Sequence, residues 1–168
     1  VSHLSYMISD AFLGQLLRLS AESSNVGLGE ESTRSRTELL ALLARKLDLK
    51  AVVSTLCHIW DDIVENGSTA IEEVLALLSV SVNQISKSTV LGSANAVSDL
   101  ILQIMDLRRI QLTSRTEDGY TDDEISAIEI STNEVVTKFI YKLNDTVFRP
   151  LFLTWVDWAI KCIDISSL

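Results

Sequence analysis

Very little in this chain interrupts a helix. It holds one proline, Pro150, and six glycines in 168 residues, whereas an all-β chain needs such residues at turn after turn. Apolar residues recur at i, i+3, i+4 and i+7, the spacing that lines one face of an α-helix. On this test seven helices are predicted. They cover about residues 4–19 (Leu4, Met7, Ile8, Phe12, Leu16, Leu17), 36–47, 49–65 (Val52, Val53, Leu56, Trp60, Ile63, Val64), 70–86 (Ile71, Val74, Leu75, Leu78, Val82, Ile85), 89–112, 122–144 (Ile125, Ile128, Val135, Val136, Phe139, Ile140, Leu143) and 146–162 (Phe148, Leu151, Phe152, Trp155, Val156, Ala159). The fifth is apolar on more than one face (Val97, Leu100, Ile101, Ile104, Met105, Leu107), so it should lie sandwiched between neighbours. Ser20 to Thr33, with Gly27 and Gly29, reads as a long loop.

The boundaries have their own chemistry. Ser35/Glu38, Thr69/Glu72 and Thr121/Glu124 each have the spacing of a capping box, in which hydroxyl and carboxylate satisfy two backbone N–H groups that a helix start leaves orphaned. Asn66-Gly67 and Asp118-Gly119 are turn signals. Arg18, Arg45, Lys46, Lys87, Arg108, Arg109 and Lys142 fall near helix ends, where cations complement the dipole. Ser79-Val80-Ser81-Val82 and Ile128-Glu129-Ile130-Ser131 alternate as a half-buried strand would, but each sits inside a longer helical pattern. Consecutive helices joined by short links pack as antiparallel pairs, so the expected fold is all-α, a HEAT-like α-solenoid forming a single helical-repeat segment over 1–168. No crisp sequence repeat is visible, and loose repeats of this type need none.

Hydrophobic residues make up 47% of the chain and mean hydropathy is +0.26, enough for one domain's core and inconsistent with disorder. Net charge is −9, spread evenly: residues 1–84 carry 6 basic and 11 acidic groups, residues 85–168 carry 8 and 12. Nucleic acids and anionic membranes are gripped mainly by Lys and Arg, so protein partners fit this surface better than extensive RNA contact. Cys57 and Cys162 are too few for a secreted disulfide framework, which implies a reducing intracellular compartment. No apolar run reaches the roughly 20 residues that span a bilayer. The chain begins at Val1 without an initiator Met and is read as a piece of a longer protein.

Catalytic chemistry finds little footing. His58, Asp61, Asp62 and Glu65 share one helical face at spacings of three and four, yet one histidine among surface acids makes a poor metal site. Cys57 and His58 are adjacent, so their side chains diverge by about 100° and no nucleophile–base pair forms. Both cysteines read as core-edge fillers. The run Glu117 to Glu124 lacks the order of a calcium loop and is better explained as a loop entering an acidic first helical turn. Val26-Gly27-Leu28-Gly29 has no preceding strand and no P-loop lysine. His3 and His58 are the only histidines, the usual acid–base side chains, and neither sits in a catalytic frame. The residues assign no catalytic, cofactor-binding or metal-binding position and no small-molecule substrate; the chain reads as a non-enzyme.

The most distinctive stretch is Lys142-Leu143-Asn144-Asp145-Thr146-Val147-Phe148-Arg149-Pro150-Leu151-Phe152, continuing to Trp158-Ala159. Asn144 or Asp145 can cap a helix there, with Pro150 near its first turn. This string closely resembles the C-terminal region of the very large HEAT-repeat protein of the small-subunit processome, a member of the UTP-A (t-UTP) subcomplex. Leu100 to Arg109 resembles that family's helix ending in L-D-x-R. The resemblance covers about residues 80–160, with 1–79 matching as generic HEAT-like helices. It implies a nucleolar, hence nuclear, scaffold of ribosome biogenesis, tied to the U-three small nucleolar ribonucleoprotein, pre-18S rRNA processing and support of rDNA transcription. Its partners would be other UTP-A proteins, with RNA met mainly through the assembly. It carries over no catalytic residue, and Phe148, Arg149, Pro150 and Trp155 read as fold-making. The alternative is a HEAT-like adaptor of a transport, phosphatase or translation assembly.

Overall fold

The structure, a computed structural model, describes Glu38, residues 48–114 and residues 119–165. Glu38, which is helical, apart, the helices expected over 4–19 and 36–47, the loop between them, His3 and Ser35 lie outside the described residues. Every regular element among the described residues is a helix: α1 (Leu49–His58), α2 (Trp60–Glu65), α3 (Ser68–Gln84), α4 (Lys87–Gly92), α5 (Ala94–Met105), α6 (Leu107–Ser114), α7 (Asp122–Ile140) and α8 (Asp145–Ile165). The two strand-like alternations fall within α3 and α7 and are helical.

Two of the expected helices are broken. The one over 49–65 is interrupted at Ile59 (φ −98, ψ 18). The one over 89–112 becomes α4, α5 and α6. Gly92-Ser93 is the first break: Ser93 leaves helical geometry (φ −110, ψ 5), and its hydroxyl donates back to the Thr89 carbonyl at 3.2 Å. Gly/Ser pairs with such back-bonding are a known cause of bends. Asp106 is the second, with its side chain turned toward Arg109 and Trp158.

The caps are partly those expected. Thr121/Glu124 forms a complete box: the Glu124 N–H donates to Thr121 Oγ1 at 3.2 Å and the Thr121 N–H to Glu124 Oε2 at 2.8 Å. Thr69/Glu72 does not form, because α3 starts earlier at Ser68, after Gly67, whose φ of 90 suits glycine. Asp48 and Ser86 cap α1 and α4 instead, accepting from the N–H groups of Ala51 and Thr89. Lys142 neutralises the end of α3, not of its own helix, donating to the carbonyls of Asn83 at 3.2 Å and Ile85 at 3.0 Å.

Long-range hydrogen bonds fix the arrangement. Ser68 donates to Glu124, Lys138 to Ser79 and Lys142 to Asn83, at separations of 56, 59 and 59 residues. Such a steady offset requires α3 and α7 to run parallel in register. Trp155 donates to Ser98, 57 residues away, and Trp158 to Asp106, 52 away, so α5 and α8 are parallel as well. The chain reverses at Asn66-Gly67 between α2 and α3, and α2 packs on α3. Sequence neighbours are therefore antiparallel and every second helix is parallel, the layered stacking of a HEAT-like fold. The offset near 57 residues is the repeat that residue identities did not display.

The core lies between the layers. Ile71, Val74, Leu78 and Val82 of α3 meet Ile125, Ile128, Val135 and Phe139 of α7, all buried. The middle segment α5 is sandwiched as its pattern predicts, with Val97, Leu100, Ile101 and Ile104 buried and contacts to α1, α7 and α8. Arg108 on α6 grips Glu129 on α7 with two parallel bonds of 2.6 and 2.8 Å.

The Thr121 box joins two helices, because the Ser68 hydroxyl donates to Glu124 Oε1 at 2.7 Å. Thr121→Ala is expected to destabilise the chain by about 1 kcal/mol in urea unfolding. The Thr121 backbone N–H, followed by the Ser68 and Thr121 hydroxyls, holds the Glu124 carboxyl below its ordinary value of 4.5. With the folded-state value depressed, the stabilisation is present above pH 4.5 and is lost as pH falls through the folded value. Unfolding measured from pH 7 down to about 3 should accordingly show a shallower acid loss for Glu124→Gln than for the parent chain.

Candidate docking surface

The residues first considered for chemistry are scattered. His58, Asp61, Asp62 and Glu65 are all exposed, and the break at Ile59 ends the continuous register between the histidine and the acids. Among the described residues, no three His, Cys, Asp or Glu side chains are placed to hold a metal ion. Burial, with Asp99 adding to it, pushes the Cys57 thiol up, and burial followed by Asp106 does the same for Cys162, so both stay protonated. In the acidic run, Asp122, Asp123 and Glu124 form the first turn of α7, as expected; Glu117 and Asp118 lie outside the described residues, as do Gly27 and Gly29. No described helix is long and apolar enough to cross a membrane.

The site that the sequence's distinctive stretch builds is α8. Asn144 caps it, its side-chain oxygen accepting from the Val147 N–H at 3.0 Å. Pro150 is the sixth residue from Asp145, one turn deeper than the first-turn position expected. Its missing N–H deprives the Thr146 carbonyl of a partner, which costs little because Thr146 is exposed.

Two indole N–H groups fasten α8 to α5. Trp155 Nε1 donates to Ser98 Oγ at 2.8 Å, and Trp158 Nε1 to Asp106 Oδ1 at 3.3 Å. Arg109 holds Asp106 from the other side through both oxygens, and this hydrogen bonding, with the Trp158 N–H helping, keeps the Asp106 carboxyl below its ordinary range. The Leu100 to Arg109 segment thereby acquires a physical role: Asp106 receives α8, and Arg108 ties α6 to α7. A notch of about 520 Å³, lined by Asp99, Gln103, Asp106, Arg109, Trp158 and Cys162, remains between α5 and α8.

The outward face of α8 is apolar. Phe152 is 49% exposed, Leu153 58%, Val156 36% and Ile160 52%, and their spacing makes one stripe along the helix. Contiguous large apolar side chains in water mark a contact surface more often than scattered ones do. Trp155 and Trp158 are turned inward on α5, and the neighbouring stripe is bare. Of the four residues read as fold-making, Phe148 and Trp155 pack against the core, whereas Arg149 and Pro150 are exposed.

The BP28CT (NUC211) domain family matches residues 89–167. U3 small nucleolar RNA-associated protein 10 of Coccidioides immitis is 38% identical over 159 residues, 95% of this chain. The proteins of the same name from Aspergillus clavatus and Neurospora crassa are 36% and 34% identical over 94% and 99% of it. These likenesses run well beyond the stretch over 80–160 that carries the resemblance by eye. The chain spans 9% of the length of each of these relatives. No solved structure matches the chain. With the helical stack and the α8 anchor in place, the matches are decisive: the chain belongs to the family of U3 small nucleolar RNA-associated protein 10 and carries its C-terminal BP28CT domain.

Proposed function

We propose that this chain is a non-catalytic scaffold segment of a small-subunit processome protein, acting in the nucleolus in pre-18S rRNA processing and 40S biogenesis, with a role in supporting rDNA transcription. The observation that carries the reading is the likeness, across nearly the whole chain, to proteins named for association with U3 small nucleolar RNA. The bare α8 stripe supports a holding role, since it offers apolar area and no chemistry. Its partners are other processome proteins, foremost UTP-A subunits, met through helix faces and interhelical loops. U3 ribonucleoprotein and pre-rRNA are reached through the assembly, because a net charge of −9 opposes a broad phosphate grip.

Phe152→Gln, Val156→Gln and Ile160→Gln combined in the full-length parent test this. All three side chains lie outside the core and are only partly covered, so the melting temperature should fall by no more than about 5 °C. Co-purification of U3 RNA and UTP-A proteins should fall about tenfold or more, with 18S precursors accumulating. Unchanged co-purification, with the whole segment deleted as well as with the triple variant, sinks the proposal.

A further inference from the structure

Where α2 turns into α3, a cavity of about 660 Å³ opens between that turn, α6 and the residues leading into α7. Its floor is apolar: Trp60 and Leu107 are buried, Val64 is half-buried, and Ile110 is 45% exposed. Its rim is acidic. Asp61 and Glu65 stand one turn apart on α2, both exposed, and Glu124 lies across the opening.

Among the described residues no cation pairs with Asp61 or Glu65, and Arg108, on the nearby α6, is occupied by Glu129 and Asp122. Glu124 is held ionised by its hydrogen bonds from Thr121 and Ser68. Beside the cavity Gln111 donates its amide N–H to the Tyr120 carbonyl, and the Tyr120 phenol donates to the Val64 carbonyl at 2.5 Å, so the cavity wall is pinned on both sides. An apolar floor and carboxylates without a cation are together complementary to a long apolar stem ending in charged N–H donors, which is a lysine or arginine side chain.

We propose that this cavity docks a basic segment of a partner protein, laying the stem of a lysine or arginine along Ile110 and Trp60 with its charged head toward Asp61, Glu65 and Glu124 at the rim. RNA is the wrong occupant, since among the described lining residues its phosphates would meet three carboxylates and no cation. The inference rests on the reading that this chain holds proteins; it does not depend on which assembly those proteins form.

Fluorescence anisotropy on the full chain tests it with three probes: a short amphipathic leucine–lysine peptide, its leucine–glutamate counterpart and single-stranded oligouridine. The lysine peptide should bind and the other two should not. The double variant Asp61→Asn, Glu65→Gln should weaken that binding about tenfold or more, and Ile110→Ser by a similar factor. Glu134→Gln with Asp157→Asn, the same charge change on exposed positions of α7 and α8, should leave it within about twofold. An equal loss from that control pair, oligouridine binding relieved by the Asp61 and Glu65 changes, or no lysine-peptide binding would each overturn the proposal. Expected peptide results beside processome co-purification unchanged by both the α8 triple variant and deletion of the segment would retain the docking site and reject the assembly reading. The converse would reject only the docking site.

Discussion

Phe139→Ala is expected to destabilise the chain by about 3–5 kcal/mol and to lower its melting temperature by about 10 °C or more. Phe139 is completely buried and is the largest fully buried side chain among the described residues. It lies near the end of α7, next to Lys138, whose ammonium donates to Ser79 of α3 at 2.7 Å, so removing the ring opens a cavity where the two parallel helices are held in register. The surrounding side chains come from helices tied at both ends and cannot collapse freely, which places the cost toward the upper part of that range. Since domains have roughly 5–15 kcal/mol to lose, this single change should bring the chain close to unfolding. Ile130→Ala on the same helix, where the side chain is 64% exposed, should change stability by no more than about 0.5 kcal/mol. Urea unfolding of both variants measures the difference, and equal midpoints would contradict the placement of the core.

Trp155→Ala should act locally where Phe139→Ala acts globally. Trp155 covers α5 and donates to Ser98, whose side chain is 1% exposed. Truncation removes ring contacts and strands a buried hydroxyl, for a cost of about 2–4 kcal/mol. Trp155→Phe keeps most of the contact and loses the donor, for about 1–2 kcal/mol. Because α8 is the last described helix of the stack and packs mainly on α5, the loss should appear as faster amide exchange in α8 and the facing part of α5, with α3 and α7 slowed as before. Uniform acceleration through the whole chain would contradict the view that α8 is a separately docked element.

How far the sequence could be read follows from the range of the interactions involved. Helix existence depends on near-neighbour periodicity, so α3, α7 and α8 were legible within a few residues of each end. The breaks at Ile59, Ser93 and Asp106 were not, because a one-residue departure barely disturbs an apolar pattern that continues on the far side. Asp48 and Ser86 escaped because the residues three further on are Ala51 and Thr89, not the carboxylate that completes a capping box. The partners of Lys142, Tyr120 and Trp155 lie more than 50 residues away, where no local pattern reaches. The docking surface was half legible. Apolar residues along α8 were evident, but two stripes competed for the interior, and tertiary contact sent Leu151, Trp155 and Trp158 inward while leaving Phe152, Val156 and Ile160 outside. One signal was available: of the two stripes, only the inner one carries indole donors that need a partner.

The steady offset between α3 and α7 also sets the order in which such a stack can form. Closing the first loop of 56 residues, as when Ser68 meets Glu124, costs about 3.6 kcal/mol of chain entropy. Once that contact exists, Ser79 and Lys138 are separated only by already helical chain, 11 residues along α3 and 14 along α7, and their approach carries almost no further loop penalty. The first encounter is therefore the slow one, and it faces nearly the same barrier at either end of the pair. Closure then spreads along the two helices from whichever end touches first.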